Sequence, residues 1–161
     1  MLPHLGAAYN LARWLVRREA EAEDLAQEAM LRAYRFFGGF RGGDARAWLL
    51  KIVRNVSYTW LEAAQATDAS AEFDEELHGA ADVTPESLAI AGAERERLAR
   101  ALEELPTRFR EVLILRELEG CSYKEIAEIT GSPIGTVMSS LSRARRRLGQ
   151  ALGAAKQKAV P

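Results

Sequence analysis

The residues best placed to do chemistry lie in the last third of the chain, in "GCSYKEIAEITGSPIGTVMSSLSRARRRL", residues 120–148. Ser122 and Glu125 stand in the S-x-x-E relation of a capping box, which starts a helix by satisfying its first free N–H groups. Gly131 can take the left-handed backbone that stops this helix after about two turns, and Ser132 as N-cap with Pro133 at the first helical position starts another at once. Ala127, four residues before the turn glycine, is small enough to let the two helices cross closely. The spacing therefore predicts a helix-turn-helix. Along its second helix Val137, Leu141, Ala144 and Leu148 must face a core, and at about 100° per residue Ser139, Arg143 and Arg146 then point the other way. A face that begins with small polar groups and ends in arginines suits a helix whose first turns enter the DNA major groove while its cationic end meets phosphates.

Other chemistry finds little support. The two histidines, His4 and His78, have no metal-ligand or general-base spacing with other groups, and no phosphate-binding glycine loop occurs. No enzyme activity, cofactor or metal is expected. The single cysteine, Cys121, reads as a small apolar filler and cannot staple a secreted fold, which points to the reducing cytoplasm. No apolar run reaches the roughly 18 residues of a membrane span, and no signal-peptide pattern opens the chain, so no membrane insertion is expected.

What must position the cationic helix is read from charge and periodicity. The net charge of −1 is segregated: residues 1–61 carry nine bases and six acids, residues 62–94 nine acids and no base, and residues 95–161 thirteen bases and eight acids. Two basic blocks flank an acidic one, as for two polyanion-facing modules joined by a segment that cannot bind a polyanion. The acidic stretch lacks sustained apolar periodicity and reads as a flexible linker over residues 63–92. Both flanking blocks have helical spacing without β-branched alternation, so the chain reads as all-α, with small helical domains at 1–62 and 93–155.

In the first block Leu5, Ala8, Ala12, Leu15 and Val16 form one apolar stripe, and Leu25, Ala29, Ala33 and Phe36 form a second. Asp24, Gln27, Leu31 and Arg35 share the opposite side of that second helix. Leu31 is then either a solitary surface leucine or an apolar anchor in a polar rim that docks onto another protein. Gly42 and Gly43 permit a sharp bend, and Asp44 can cap a third helix from about Ala45 to Leu61. Its buried stripe is Leu49, Ile52, Val56 and Trp60, with Trp48 and Tyr58 at the flanks and Arg46, Lys51, Arg54 and Asn55 elsewhere. In the second block Pro106 opens a helix carrying Phe109, Val112 and Leu113, which Gly120 can close.

Four segments, "AEDLAQEAMLRAY", "FRGGDARAWLLKIVRN", "ALEELPTRFREVLILRELEGCSYKEIAEITGSPIGTV" and "SRARRRL", resemble in this order the signature segments of bacterial RNA polymerase sigma factors. The resemblance is to the extracytoplasmic-function group of the sigma-70 family and covers nearly the whole chain except the linker. It implies that residues 1–62 dock on polymerase and recognise and melt the minus-10 element, and that residues 93–155 recognise the minus-35 element. It further implies binding of core polymerase and promoter DNA without catalysis, a linker that threads the polymerase, and control by an anti-sigma factor.

Carried over by position, the resemblance makes Asp24, Gln27, Glu28, Leu31 and Arg35 the docking surface for the clamp helices of the largest polymerase subunit. The second block would meet the flap of the second-largest subunit. Phe40, Arg41, Gly42, Gly43, Asp44 and Arg46 form the loop that captures a flipped minus-10 base, with Asn55 beside the pocket; such a base needs a cavity with an aromatic or polar lining. Lys124 would touch phosphate, while Thr136, Met138, Ser139, Ser142, Arg143 and Arg146 would face the minus-35 groove. The chain departs from the family pattern at Ser140, where arginine is usual, and at "EAAQ" after Leu61, where bases are frequent. Its first helix also begins nearer the N-terminus than is general, so a trimmed or partly unsupported first domain is expected. Two other readings remain, a stand-alone helix-turn-helix regulator and a sigma-like decoy that binds a regulator.

Overall fold

The computed structural model describes residues 2–67 and 89–159. They contain seven α-helices and, among the described residues, no strand, as an all-α reading requires. Most of the acidic stretch, residues 68–88, lies outside the described residues; residues 63–67 continue the third helix and residues 89–92 belong to the fourth.

Helices α1 (Leu5–Val16), α2 (Glu19–Arg35) and α3 (Ala45–Thr67) pack against one another as a first unit. The buried stripe of α1 is Ala8, Leu11, Ala12, Leu15 and Val16. Leu5, expected in that stripe, is 42% exposed, and Leu11 takes its place. Arg17 ends α1 in the left-handed region at φ 62°, where its N–H donates to the Arg13 carbonyl. Glu19 and Glu21 then open α2 with negative charge on its N-terminal dipole. The α2 core face is almost all alanine (Ala22, Ala26, Ala29, Ala33, with Leu25), so its neighbours approach closely. Phe36, expected to complete that face, lies beyond the last turn of α2 and is 65% exposed, because the chain swings there into a 3-10 turn at Phe37–Gly39.

The second unit is α4 (Ala89–Glu104), α5 (Thr107–Leu113), α6 (Tyr123–Thr130) and α7 (Ile134–Ala159), with α4, α5 and α6 all packed on α7. A π-helical turn, Ile114–Leu118, continues α5, the Glu119 N–H reaching back to the Ile114 carbonyl at 3.0 Å. Gly120 closes it at φ 65°, as its position after the helix predicts. Phe109, Ile114, Leu115, Ile126, Ile129 and Leu141 are its large, fully buried side chains. Each such burial stabilises the fold by roughly 1.5–3 kcal/mol.

The units do not stand apart. One apolar cluster runs through both, α3 packing on α6, and α1 on α5 and the π-helical turn. Helix α3 is thereby covered on two sides, and Leu50 and Val53 are fully buried, whereas the predicted stripe residues Ile52 and Trp60 are only partly buried.

Candidate nucleic-acid interface

The helix-turn-helix forms as local chemistry dictates. Ser122 Oγ accepts from the Glu125 N–H at 3.0 Å, and Glu125 Oε1 accepts from the Ser122 N–H at 2.9 Å, closing the capping box. Gly131 adopts φ 69°, and the Ser132 N–H donates to the Ala127 carbonyl at 3.2 Å, which satisfies the end of α6. The first bond of α7 runs from the Val137 N–H to the Pro133 carbonyl, so proline caps the helix one residue outside its expected place. Val137, Leu141 and Ala144 are buried and Leu148 packs on the same core.

That packing turns Thr136, Met138, Ser139, Ser142, Arg143 and Arg146 to solvent, with Lys124 exposed on α6. Met138 is 52% exposed, a large apolar group that a soluble surface does not need. Among the described residues Arg143 and Arg146 take no ion-pair partner, whereas Arg145 pairs with Glu117 at 2.9 Å and Arg147 lies 4.9 Å over the Phe109 ring. The "RARRR" run thus divides into two arginines that hold the fold and two that remain available.

In the first unit the loop before α3 is built around aromatic rings. Phe40 lies 5.9 Å from Phe37 and 5.2 Å from Trp48, centroid to centroid. Gly42 and Gly43 take φ 86° and 93°, a bend closed to most side chains. Asp44 caps α3, its Oδ1 accepting from the Arg46 N–H at 2.9 Å. The hydrogen bond with the Glu125 side chain is the main influence holding the Asp44 carboxyl below its ordinary range; burial opposes this, and the Arg46 and Ala47 N–H groups assist. Arg41 and Asn55 are exposed and Phe40 half-buried, so this loop offers an aromatic wall with polar groups at its rim.

On α2, Asp24, Gln27, Glu28, Leu31 and Arg35 all face solvent, Glu28 pairing with Arg32 at 2.9 Å. Leu31 is 57% exposed, and Tyr34, Phe36 and Phe37 extend the exposed apolar surface beyond it. Tyr34 and Phe37 escaped the sequence reading, and Phe36 was assigned to the core; the "YRFF" run past the last core alanine was their signal.

A polar cluster between the units was also missed. Glu111 of α5 is buried, with its Oε1 accepting from Arg54 Nε at 2.5 Å and its Oε2 from the Tyr58 hydroxyl at 2.8 Å. The Arg54 guanidinium also covers the Tyr58 ring at 4.2 Å. Burial raises the Glu111 carboxyl above its ordinary range, opposed first by Arg54 and then by Tyr58. Arg110 is buried too, donating to the Glu103 and Leu105 carbonyls at 3.1 Å and to Leu15 of α1 at 3.5 Å. Burial, and then the charge of Arg17, pull it down to about 10, which leaves it charged at neutral pH. Among the described residues no group of three or more His, Cys, Asp or Glu could hold a metal ion, and no helix is long and apolar enough to cross a membrane.

Comparison with known proteins covers both units. Residues 2–67 match the family described as Sigma-70 region 2, and residues 95–148 match Sigma-70, region 4. The chain is 38% identical over 141 residues to the RNA polymerase sigma-H factor of Pseudomonas aeruginosa, covering 82% of this chain and 73% of that relative. It is 36% identical over 137 residues to the ECF RNA polymerase sigma-E factor of Escherichia coli, covering 80% and 72%. Among solved structures it superposes on the sigma factor RpoE in complex with the anti-sigma factor NepR from Bartonella quintana. That match has a TM-score of 0.78 and 29% identity, over 94% of this chain and 93% of the other. It also superposes on CnrH in complex with the cytosolic domain of CnrY, with a TM-score of 0.70 and 25% identity over 95% and 84%.

Proposed function

Because the chain belongs to the extracytoplasmic-function group of sigma-70 RNA polymerase sigma factors, we propose that its promoter specificity is divided between α7 and the loop before α3. The protein is a promoter-specificity factor of RNA polymerase; the roles of its individual residues are what the geometry supports. Helix α7 reads the minus-35 major groove through Thr136, Met138, Ser139, Ser142, Arg143 and Arg146, while Lys124 meets a phosphate. The observation that carries this reading is the exposed outer face of α7 with Arg143 and Arg146 unpaired among the described residues. Ser140, where arginine is usual, leaves one fewer cationic contact.

The aromatic wall of Phe37, Phe40 and Trp48 supports capture of a flipped minus-10 base by the Phe40–Arg46 loop, with Asn55 at its side. The exposed Leu31 in its polar rim supports docking of α2 on the clamp helices of the largest polymerase subunit, and α4 to α7 would meet the flap of the second-largest. Residues 1–62 and 93–155 then act as the two functional domains. The protein works in the cytoplasm, without catalysis of its own. An anti-sigma factor is a further partner, as the solved complex of RpoE with NepR supports.

The test is run-off transcription with reconstituted holoenzyme on promoters selected from a random pool. Recovery of a two-element consensus, with the upstream element lost in Arg143→Ala, supports the assignment. Initiation by core polymerase alone at the same sites, or a consensus with one element, overturns it.

A further inference from the structure

The outer surface of α7 changes character along its length. Residues 134–142 hold no charged side chain and no asparagine or glutamine, only Ile134, Gly135, Thr136, Met138 and three serines around the buried Val137 and Leu141. The first cation on the outward face is Arg143, roughly 13 Å along the axis from Ile134, where the helix starts. Unlike Arg54 and Arg110 at the seam between the two units, Arg143 stands in solvent without an ion-pair partner among the described residues. The turns that enter a major groove first are therefore the uncharged ones.

Each base shows a different chemistry to such a helix. Guanine presents two acceptors that arginine or lysine meets, and adenine an acceptor and a donor that asparagine or glutamine meets. Cytosine presents an amine that a carboxylate meets, and thymine a methyl group that an apolar side chain meets. None of the first three kinds of side chain occurs in residues 134–142. Hydroxyl groups discriminate poorly between bases, which leaves the apolar side chains to choose.

Two large apolar side chains are exposed on this stretch, Met138 at 52% and Ile134 at 46%. Four residues apart, they lie one turn above the other on the same side of the helix, and Ser142 continues the row. A lone surface methionine is ordinary. Two apolar groups stacked on the leading turns form a strip that gains by leaving water only against another apolar surface. The major groove offers one, the thymine 5-methyl group, and the unbranched thioether of methionine adapts readily to its position. Beside it, Ser139 Oγ donates to the Thr136 carbonyl at 3.0 Å, so its oxygen is left to accept. The N6 amine of adenine, the partner of thymine, is a donor of the kind it needs.

We propose that Met138, with Ile134 one turn before it, is a specificity-determining residue that reads the 5-methyl group of a thymine in the minus-35 element. The chain thus selects a T·A pair there by apolar contact and without a cation. The inference rests on the assignment of α7 to the minus-35 groove made above.

The test uses reconstituted holoenzyme and the promoter that it selects from a random pool. Each thymine of the upstream element, on either strand, is replaced in turn by deoxyuridine, which pairs in the same way and lacks the methyl group. At one of them the replacement should weaken holoenzyme binding by about 3- to 5-fold, as the loss of one buried methyl group requires. Met138→Ala should weaken binding to the thymine promoter by a similar factor and abolish the difference between thymine and deoxyuridine. Because Met138 is half exposed, its truncation leaves the fold intact. A selected upstream element without thymine overturns the proposal, and so does a wild type indifferent to every deoxyuridine. A Met138→Ala loss equal on both promoters also overturns it and would set Met138 against polymerase instead. Arg143→Ala on the same promoters separates this proposal from the groove assignment. A loss confined to the upstream element, with no methyl effect in the wild type, overturns the methyl reading alone, whereas no dependence on that element in any variant overturns both.

Discussion

Arginines occupy two regions of this molecule under opposite conditions. At the seam Arg54 and Arg110 are wholly or largely withdrawn from water, and every donor interaction they make is to a carboxylate, a hydroxyl or a carbonyl of the protein. On the outer face of α7, Arg143 and Arg146 stand in solvent without an ion-pair partner among the described residues. A guanidinium already neutralised by the fold cannot release counterions from DNA, whereas an unpaired one on a groove-facing helix can. The contrast teaches that the density of arginine along a chain says little about where it binds; pairing decides.

The largest effect that sharpens this contrast is on stability. Arg110→Ala removes a buried cation and leaves the Glu103 and Leu105 carbonyls without their donor. Folding should weaken by about 3–5 kcal/mol, and the thermal midpoint should drop by more than about 6 °C. A midpoint within a degree of wild type would break the comparison.

Arg143→Ala should behave in the opposite way. Stability should stay within about 0.5 kcal/mol, while holoenzyme loses about 1–3 kcal/mol of promoter affinity in a manner that depends on the minus-35 sequence. Binding to core polymerase should be unchanged. Leu31→Asp is the converse control: by placing a charge at an apolar anchor it should cost core binding about 2 kcal/mol and leave the second unit's DNA contact intact. Loss of both activities in either variant would refute the assigned roles.

A smaller effect is the pH dependence of the seam. The folded state holds the Glu111 proton more tightly than the unfolded chain does, since burial raises this carboxyl above its ordinary value near 4.5. Its contribution to stability is full below that ordinary value and is lost as pH rises through the raised one. Glu111→Gln, which cannot titrate, should remove this downward component from denaturant-derived stability measured at a series of pH values. An identical pH profile in the variant would show that the carboxyl is not perturbed.

The smallest effect concerns Cys121. Burial pushes its thiol up to about 11, partly countered by Arg46, so only about 0.1% would be thiolate at pH 8. Alkylation of the native protein should be far slower than of the denatured chain, and equal rates would contradict the burial.

What could be read in advance was what short stretches settle alone. Ser122, Glu125, Gly131 and the Val137–Leu141–Ala144 stripe behave as their spacing demands, because a capping box, a left-handed glycine and a single-faced helix involve neighbours within a few turns. Asp44 capped α3 for the same reason. Helix α3 was harder. Its stripe was placed on Leu49, Ile52, Val56 and Trp60, yet Leu50 and Val53 are buried as well, since the helix is covered on a second side that periodicity cannot announce. Phe36 failed for a local reason: the helix ended before it, and a stripe extrapolated past a helix end loses its phase.

The amino-acid sequence by itself determined that the chain is helical, that a helix-turn-helix stands near its end, and which face of α7 is polar, for these follow from interactions over a few residues. Only the tertiary structure decided which arginines are spent and which are available, and that the two units close on one another through Glu111, Arg54 and Tyr58. Those partners are 53 and 57 residues apart. A pairing over that separation is set by how whole helices pack, and no local pattern encodes it.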